Sequence, residues 1–77
     1  MDNPIVSSLE VRLAARIASE RGARGWPVAE LAARSGVSRA MVAKIEKGTV
    51  KPTAALVGKL SAAFGLTLSH LFARMEE

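Results

Sequence analysis

The sequence predicts an all-α domain of five short helices, and three observations support this fold class. The chain has 77 residues, which is enough for one domain and too few for two lobes with a cleft between them. Apolar residues recur at helical spacing, and no stretch alternates apolar and polar residues as a half-buried strand does. Alanine, the strongest helix former, occurs 14 times. We therefore expect residues 1–77 to form a single helical domain with its core at about 8–73.

The first helix is predicted at about 8–21. Its apolar residues repeat every four positions and so form one stripe along the helix. A serine before this stripe, Ser7 or Ser8, can cap the helix, and Gly22 can end it. The stripe consists of Leu9, Leu13 and Ile17.

The second helix is predicted at about 27–35, directly after a connector that contains two glycines. Pro27 suits a first helical turn, where its missing N–H is not needed. Gly36 suits the left-handed position that follows the end of a helix. The residues predicted to face the core are Val28, Leu31 and Ala32.

The third helix is predicted at about 39–47, with Ser38 as its cap and Gly48 at its end. Only three residues join it to the second helix, so the two helices must cross at a steep angle. A steep crossing requires a small residue where the helices touch, and Ala32 meets this requirement.

Two further helices complete the predicted fold. The fourth is expected at about 54–64, with Thr53 as its cap and Gly65 at its end. A short fifth helix follows, with Ser69 as its expected cap. The residues expected to close the core from this helix are Leu68, Leu71 and Phe72.

The exposed surface of the third helix is the main candidate for a functional site. Val42 and Ile45 are three residues apart and share its apolar face. The opposite face carries cations and small residues but no acid: Arg39, Ala40, Ala43, Lys44 and Lys47. A helix of this kind fits the major groove of DNA, where Arg and Lys donate to guanine and an alanine can contact the thymine methyl group.

The charge distribution supports the same partner. The chain has a net charge of +4, whereas residues 34–59 alone contain six Lys or Arg and one Glu, a net charge of +5. Such a block favours a polyanion, either nucleic acid or an anionic membrane. No apolar run approaches the roughly 20 residues of a membrane span, and the first residues lack the basic start of a signal peptide. We therefore expect a nucleic-acid partner, no membrane contact and a cytoplasmic location.

The residue types offer little for catalysis. The chain has no cysteine, no tyrosine and a single histidine, His70. The lack of cysteine excludes disulfides, zinc–cysteine sites and thiol nucleophiles. No pair of acids and no glycine-rich phosphate loop is apparent. We therefore expect no enzymatic activity, no metal and no cofactor.

The middle of the chain resembles a known family. The stretch 26–48, WPVAELAARSGVSRAMVAKIEKG, resembles the helix-turn-helix of Cro/repressor-type (XRE-like) transcription factors, and KPTAALVGKLSAAFGLTLSHLF is similar to their fourth and fifth helices. The resemblance covers about residues 9–72 and is strongest to the heads of bacterial regulators that carry a C-terminal cupin domain. It implies a lambda-repressor-like fold with the helix-turn-helix formed by helices two and three. The positions that agree together are Ala32, Gly36, Ser38, Val42, Ile45, Glu46 and Gly48.

The resemblance also implies roles for individual residues. The base-contacting residues would be Arg39, Ala40 and Lys44. The phosphate-contacting residues would be Ser38, Lys47, Thr49, Lys51 and Arg34. Arg21 and Glu46 are expected to form a structural ion pair between helices one and three. Many relatives begin helix two with a Ser or Thr cap and a glutamine that binds a phosphate, whereas this chain has Pro27 and Val28. Its phosphate contacts should therefore rely more on the loop that contains Lys47 and Lys51.

On this resemblance the protein is a sequence-specific double-stranded DNA-binding transcriptional regulator, and a repressor rather than an activator. We expect the chain to be the head of a longer regulator that forms a homodimer and binds any effector in a C-terminal domain. Candidate dimer contacts are Leu68, Leu71, Phe72 and Met75. The alternative is a helix-turn-helix module that binds a protein, as in antitoxins or adaptors, which predicts an apolar partner patch and little salt dependence.

Overall fold

The computed structural model describes the backbone of residues 4–73 and the side chains of residues 9–73. This part of the chain is helical with no strand, which confirms the predicted fold class. None of its helices is long and apolar enough to cross a membrane. The helices are α1 (Pro4–Ala23), α2 (Val28–Ser35), α3 (Arg39–Glu46), α4 (Ala54–Ala63) and α5 (Leu68–Ala73).

All five helices contribute to one core. Each of them places one side chain there with 0% exposure: Ile17, Leu31, Val42, Leu60 and Leu71. Burying a side chain of this size stabilises the fold by about 1.5–3 kcal/mol. The core therefore depends on every helix, including the short α5.

The predicted bounds of α1 were wrong at both ends. The helix begins at Pro4, so Ser7 and Ser8 lie inside it and do not cap it. A proline is well suited to a first turn because its missing N–H has no intrahelical acceptor there. At the other end, Gly22 lies within the helix, and the left-handed residue is Gly25, with φ of 67°.

The predicted apolar stripe of α1 is only partly buried. Leu13 is 6% and Ile17 0% exposed, but Leu9 is 49% exposed. Periodicity shows that these residues share a face. It does not show how far along a long helix the other helices reach.

The connection between α2 and α3 has the predicted geometry. Gly36 adopts φ of 77° and ψ of 10°, and its N–H donates to the carbonyl of Ala32. Val37 then enters the core with 4% exposure. Its N–H donates to the hydroxyl of Ser35 at 3.1 Å. Ala32 is buried, as expected for the residue at the crossing of the two helices.

The last two helices were predicted with two errors. Leu68 was expected to close the core with Leu71 and Phe72, but as the first residue of α5 it is 38% exposed. Thr53 caps α4 as expected, since its hydroxyl oxygen accepts from the N–H of Leu56 at 3.1 Å. The cap of α5 is Thr67 and not Ser69, because the N–H of His70 donates to the hydroxyl oxygen of Thr67 at 3.0 Å. The helix already begins at Leu68, so Ser69 lies within it.

Candidate nucleic-acid interface

The outer surface of α3 brings the predicted base-contacting residues together. Val42 and Ile45 anchor the helix in the core, with 0% and 2% exposure. Arg39, Ala40 and Lys44 are exposed on the other side. Lys47, just after the helix, is exposed as well, and Ala43 is half-buried. The surface therefore combines three cations with two methyl groups.

The beginning of α3 is capped by the residue predicted to do so. The hydroxyl oxygen of Ser38 accepts from the N–H of Met41 at 3.1 Å, and its carbonyl accepts from the N–H of Val42 at 2.9 Å. The earlier N–H groups of Arg39 and Ala40 have no intrahelical acceptor, as at the start of any helix. Together with the helix dipole, such groups favour an anion at this end.

A shallow concavity lies between α2 and the start of α3. Its lining is made of small side chains apart from Val37 and one cation: Ala29, Ala32, Ala33, Gly36, Val37, Ser38 and Arg39. Small side chains allow another molecule to approach the backbone closely. The polar end of this concavity is formed by Ser38 and Arg39, next to the exposed surface of α3.

The loop from α3 to α4 holds two exposed lysines, Lys47 and Lys51. Thr49 is also exposed, but it is engaged within the loop, since both its N–H and its hydroxyl donate to the carbonyl of Lys44, at 3.3 and 3.2 Å. The two lysines are therefore the side chains of this loop best placed to meet an external anion.

Arg34, predicted to contact phosphate, is engaged by two neighbours within the fold. Its Nε donates to Glu30 at 2.7 Å, and its guanidinium lies 4.3 Å from the ring centroid of Trp26. Trp26 stacks in turn on Phe64 at the end of α4, with ring centroids 6.0 Å apart. A phosphate contact by Arg34 would therefore compete with these two contacts.

Arg21 and Glu46 form the ion pair expected between α1 and α3. The Nε and Nη2 of Arg21 donate to the two carboxylate oxygens of Glu46 at 2.7 and 2.8 Å. The Nη1 donates to the carbonyl of Trp26 at 2.8 Å. These bonds to Glu46 raise the pKa of Arg21 above its ordinary value, although partial burial opposes the rise. The pair fixes the end of α3 to α1 and to the connector before α2.

A second set of ion pairs was not predicted. Glu20 pairs with Arg16 at 2.7 Å and with Arg24 at 2.8 Å. Arg24 also donates to the carbonyl of Phe64 at 2.7 Å, which ties α1 to the end of α4. The signal in the sequence was the four-residue spacing of Arg16, Glu20 and Arg24, which places them on one helical face.

Comparisons with known proteins agree with this geometry. Residues 17–71 match the model of the helix-turn-helix family HTH_3. The chain is also similar to the solved structure of an HTH_3 family transcriptional regulator from Vibrio cholerae, with 29% identity and a TM-score of 0.83. That similarity covers 90% of this chain and 39% of the other, so this chain spans about two fifths of the regulator. No curated protein matches. Because the family model covers more than half of its residues, the chain belongs to HTH_3, the XRE type of DNA-binding helix-turn-helix domain.

Proposed function

We propose that this chain is the DNA-reading domain of a transcriptional regulator and that it places α3 in the major groove of double-stranded DNA. The observation that carries this proposal is the outer surface of α3, where Arg39, Lys44 and Lys47 are exposed. The single acid of the helix, Glu46, is bound by Arg21 and is 11% exposed. The surface is therefore positive without a competing carboxylate. An α-helix has the dimensions that the major groove admits.

In this docking mode the first turn of α3 meets the base edges. Arg39 and Ala40 are proposed base contacts because the N-terminal residues of a recognition helix contact the base edges. Lys44 is the third proposed contact, because it lies four residues after Ala40 on the same face of the helix. Alanine at position 40 lets the helix approach closely, and the two cations can donate to guanine O6 and N7.

The phosphate contacts surround this helix. Ser38 and the first N–H groups of α3 can hold one phosphate, and Lys47, Thr49 and Lys51 can follow the backbone. The start of α2 has no capping side chain, because the residue there is Pro27. Any phosphate contact at the start of α2 would therefore be made by backbone N–H groups alone. Arg34 can contact a phosphate only if it leaves Glu30 and Trp26, so it is the weakest of the proposed phosphate contacts.

We further propose that the whole protein is a dimeric repressor. One head covers few bases, so specific binding normally requires two heads on half-sites one DNA turn apart. A protein that occupies its site in this way can act by excluding other proteins from the DNA.

Of the candidate dimer contacts, Leu68 is 38% exposed and Phe72 is half-buried. Leu71 is 0% exposed and is therefore excluded as an initial contact.

The proposed dimer and the proposed effector domain both extend beyond residues 4–73. Met75, the fourth candidate dimer contact, lies outside the described residues. An effector-binding domain, of the cupin type or another, would follow the head in the whole protein. A ligand that alters DNA affinity only in the longer protein would support this arrangement.

Salt-dependent DNA binding tests the proposal. Fluorescence anisotropy of a labelled random-sequence duplex is measured over a range of salt concentrations for the wild type, Arg39→Ala and Lys44→Ala. Lys59→Ala is the matched control, because it removes the same charge from an exposed position on α4. Log affinity should fall linearly with log salt, by about 0.9 per phosphate neutralised.

The expected result is a steep slope that Arg39→Ala and Lys44→Ala reduce and Lys59→Ala leaves nearly unchanged. Equal effects of all three variants would show that only net charge matters, and would contradict the assignment of α3. Salt-insensitive, weak binding would instead favour the alternative function, a module that binds another protein.

A further inference from the structure

The side chains that face outward from α3 offer hydrogen-bond donors and methyl groups, and none of them has an acceptor atom. The donors are the side chains of Arg39, Lys44 and Lys47, and the methyl groups are those of Ala40 and Ala43. Lysine and arginine have no acceptor atom.

The acceptors near this surface are already in use. Both carboxylate oxygens of Glu46 accept from Arg21, at 2.7 and 2.8 Å. The hydroxyl oxygen of Ser38 accepts from the N–H of Met41 at 3.1 Å. The hydroxyl of Thr49 donates to the carbonyl of Lys44 at 3.2 Å, so that oxygen is turned into the loop.

The four bases differ in what they require from a protein in the major groove. Guanine presents two acceptors, O6 and N7, and thymine presents a methyl group and the acceptor O4. Adenine presents the acceptor N7 beside an amino group, and cytosine presents an amino group; recognition of either amino group requires an acceptor such as Asn, Gln, Asp or Glu. A surface of donors and methyl groups therefore matches guanine and thymine in full, whereas it can meet only N7 of adenine.

Helical geometry arranges these groups in two rows. Residues four apart lie one above the other, so Arg39 pairs with Ala43 and Ala40 pairs with Lys44. Each row therefore contains one cation and one methyl group, separated by about 6 Å along the helix.

We propose that α3 reads guanine and thymine directly and does not read the amino groups of adenine or cytosine. Each row is assigned one guanine and one thymine. This inference rests on the proposed major-groove docking of α3 and adds to it the chemical class of base that the helix selects.

The test begins with selection of bound duplexes from a random library by the 77-residue chain at low salt. In the selected site, single guanines are replaced by 7-deazaguanine, which removes N7, and single thymines by deoxyuridine, which removes the methyl group. We expect losses of about 10-fold for a contacted guanine and about 4-fold for a contacted thymine methyl. Replacing adenine by purine deoxyriboside, which keeps N7 and lacks the 6-amino group, is the control and should leave the affinity nearly unchanged.

A substitution in the protein, and not in the DNA, tests the same inference. Ala40→Gln supplies both an acceptor and a donor, and it should change the preferred base at one position from thymine to adenine. Ala55→Gln, on the exposed surface of α4, is the matched control and should leave the preferred sequence unchanged.

The outcomes separate this inference from the proposed function. Salt-dependent duplex binding with losses at guanine and thymine supports both. Salt-dependent binding in which loss of the adenine amino group costs as much as 7-deazaguanine overturns the base assignment and leaves the DNA-binding function intact. No duplex binding at any salt concentration overturns both.

Discussion

At the scale of single residues, the pair of Arg21 and Glu46 is the contact whose removal should be most costly. We expect Glu46→Ala to lower the free energy of unfolding by about 3 kcal/mol, because it leaves a largely buried guanidinium without its carboxylate. The double variant Arg21→Met/Glu46→Leu removes both charges and should recover most of this loss. Urea unfolding followed by circular dichroism measures both variants. A double variant no more stable than Glu46→Ala would contradict this account.

Arg21 should contribute nothing to the pH dependence of the free energy of unfolding near neutrality. The pKa of Arg21 is raised in the folded protein, so its stabilising effect is present below the ordinary arginine pKa and lost only above it. The free energy of unfolding that depends on this arginine should therefore be constant across the neutral range. A difference between wild type and Arg21→Met that changes with pH in this range would show that another group titrates with the pair.

Ser38 allows the structural role of a cap to be separated from a phosphate contact. Ser38→Asp keeps a good capping residue, so we expect little loss of stability, but it places a negative charge at the proposed phosphate position and should weaken DNA binding.

Thr67→Ala is the control for a lost cap, since Thr67 caps α5. It should lower stability by about 1 kcal/mol with unchanged DNA affinity. Thermal unfolding and anisotropy together distinguish the two effects. Undiminished DNA binding by Ser38→Asp would remove Ser38 from the interface.

At the scale of elements, the angle between α2 and α3 depends on the left-handed backbone of Gly36. A Cβ built there meets no atom within 4 Å, so substitution should cost backbone strain and not a clash. We expect Gly36→Ala to lower the free energy of unfolding by about 1 kcal/mol. A synthetic chain with D-alanine at this position should be at least as stable as the wild type, because D-alanine favours the left-handed region. Equal losses for the two forms would show that a contact, and not the backbone, decides the outcome.

The elements that could be predicted from the sequence are those with local signals. The bounds of α3 follow from Ser38, Gly36 and Gly48, which act within a few residues. The start of α5 was misplaced because two hydroxyl residues stand close together, and only the backbone geometry selects Thr67 over Ser69. The start of α1 lies at Pro4, four residues before the predicted one, because the serines at positions 7 and 8 have the side chains of caps but continue the helix.

The candidate site was predictable to a similar extent. The outer surface of α3 could be located because Val42 and Ile45 define the opposite, buried face. The arrangement of Arg34 could not be predicted, because it depends on Trp26 and on Phe64, which is 30 residues away from Arg34 in the sequence. The roles of Arg39, Ala40 and Lys44 in reading bases stay predictions.

At the scale of the whole molecule, joining two heads should raise specific affinity without any new contact. The chain has no cysteine, so a single cysteine added after residue 77 forms a defined disulfide-linked dimer. On a duplex with two selected half-sites one turn apart, we expect this dimer to bind about 10²–10⁴-fold more tightly than the reduced chain. Half-sites separated by an additional half turn are the control and should show little gain. Equal affinity before and after reduction on the first duplex would contradict the two-head model.

The position of Trp26 gives the molecule a built-in optical signal. It is the only tryptophan, and its indole is enclosed by Arg24, Arg34 and Phe64 between α2 and α4. Unfolding separates these groups, so the emission of the indole should change with the loss of the fold. Trp26 also lies just before the start of α2, where the proposed docking mode brings a DNA phosphate. A change in the emission of the folded protein on addition of DNA would therefore place the start of α2 near the duplex, without a label on the protein.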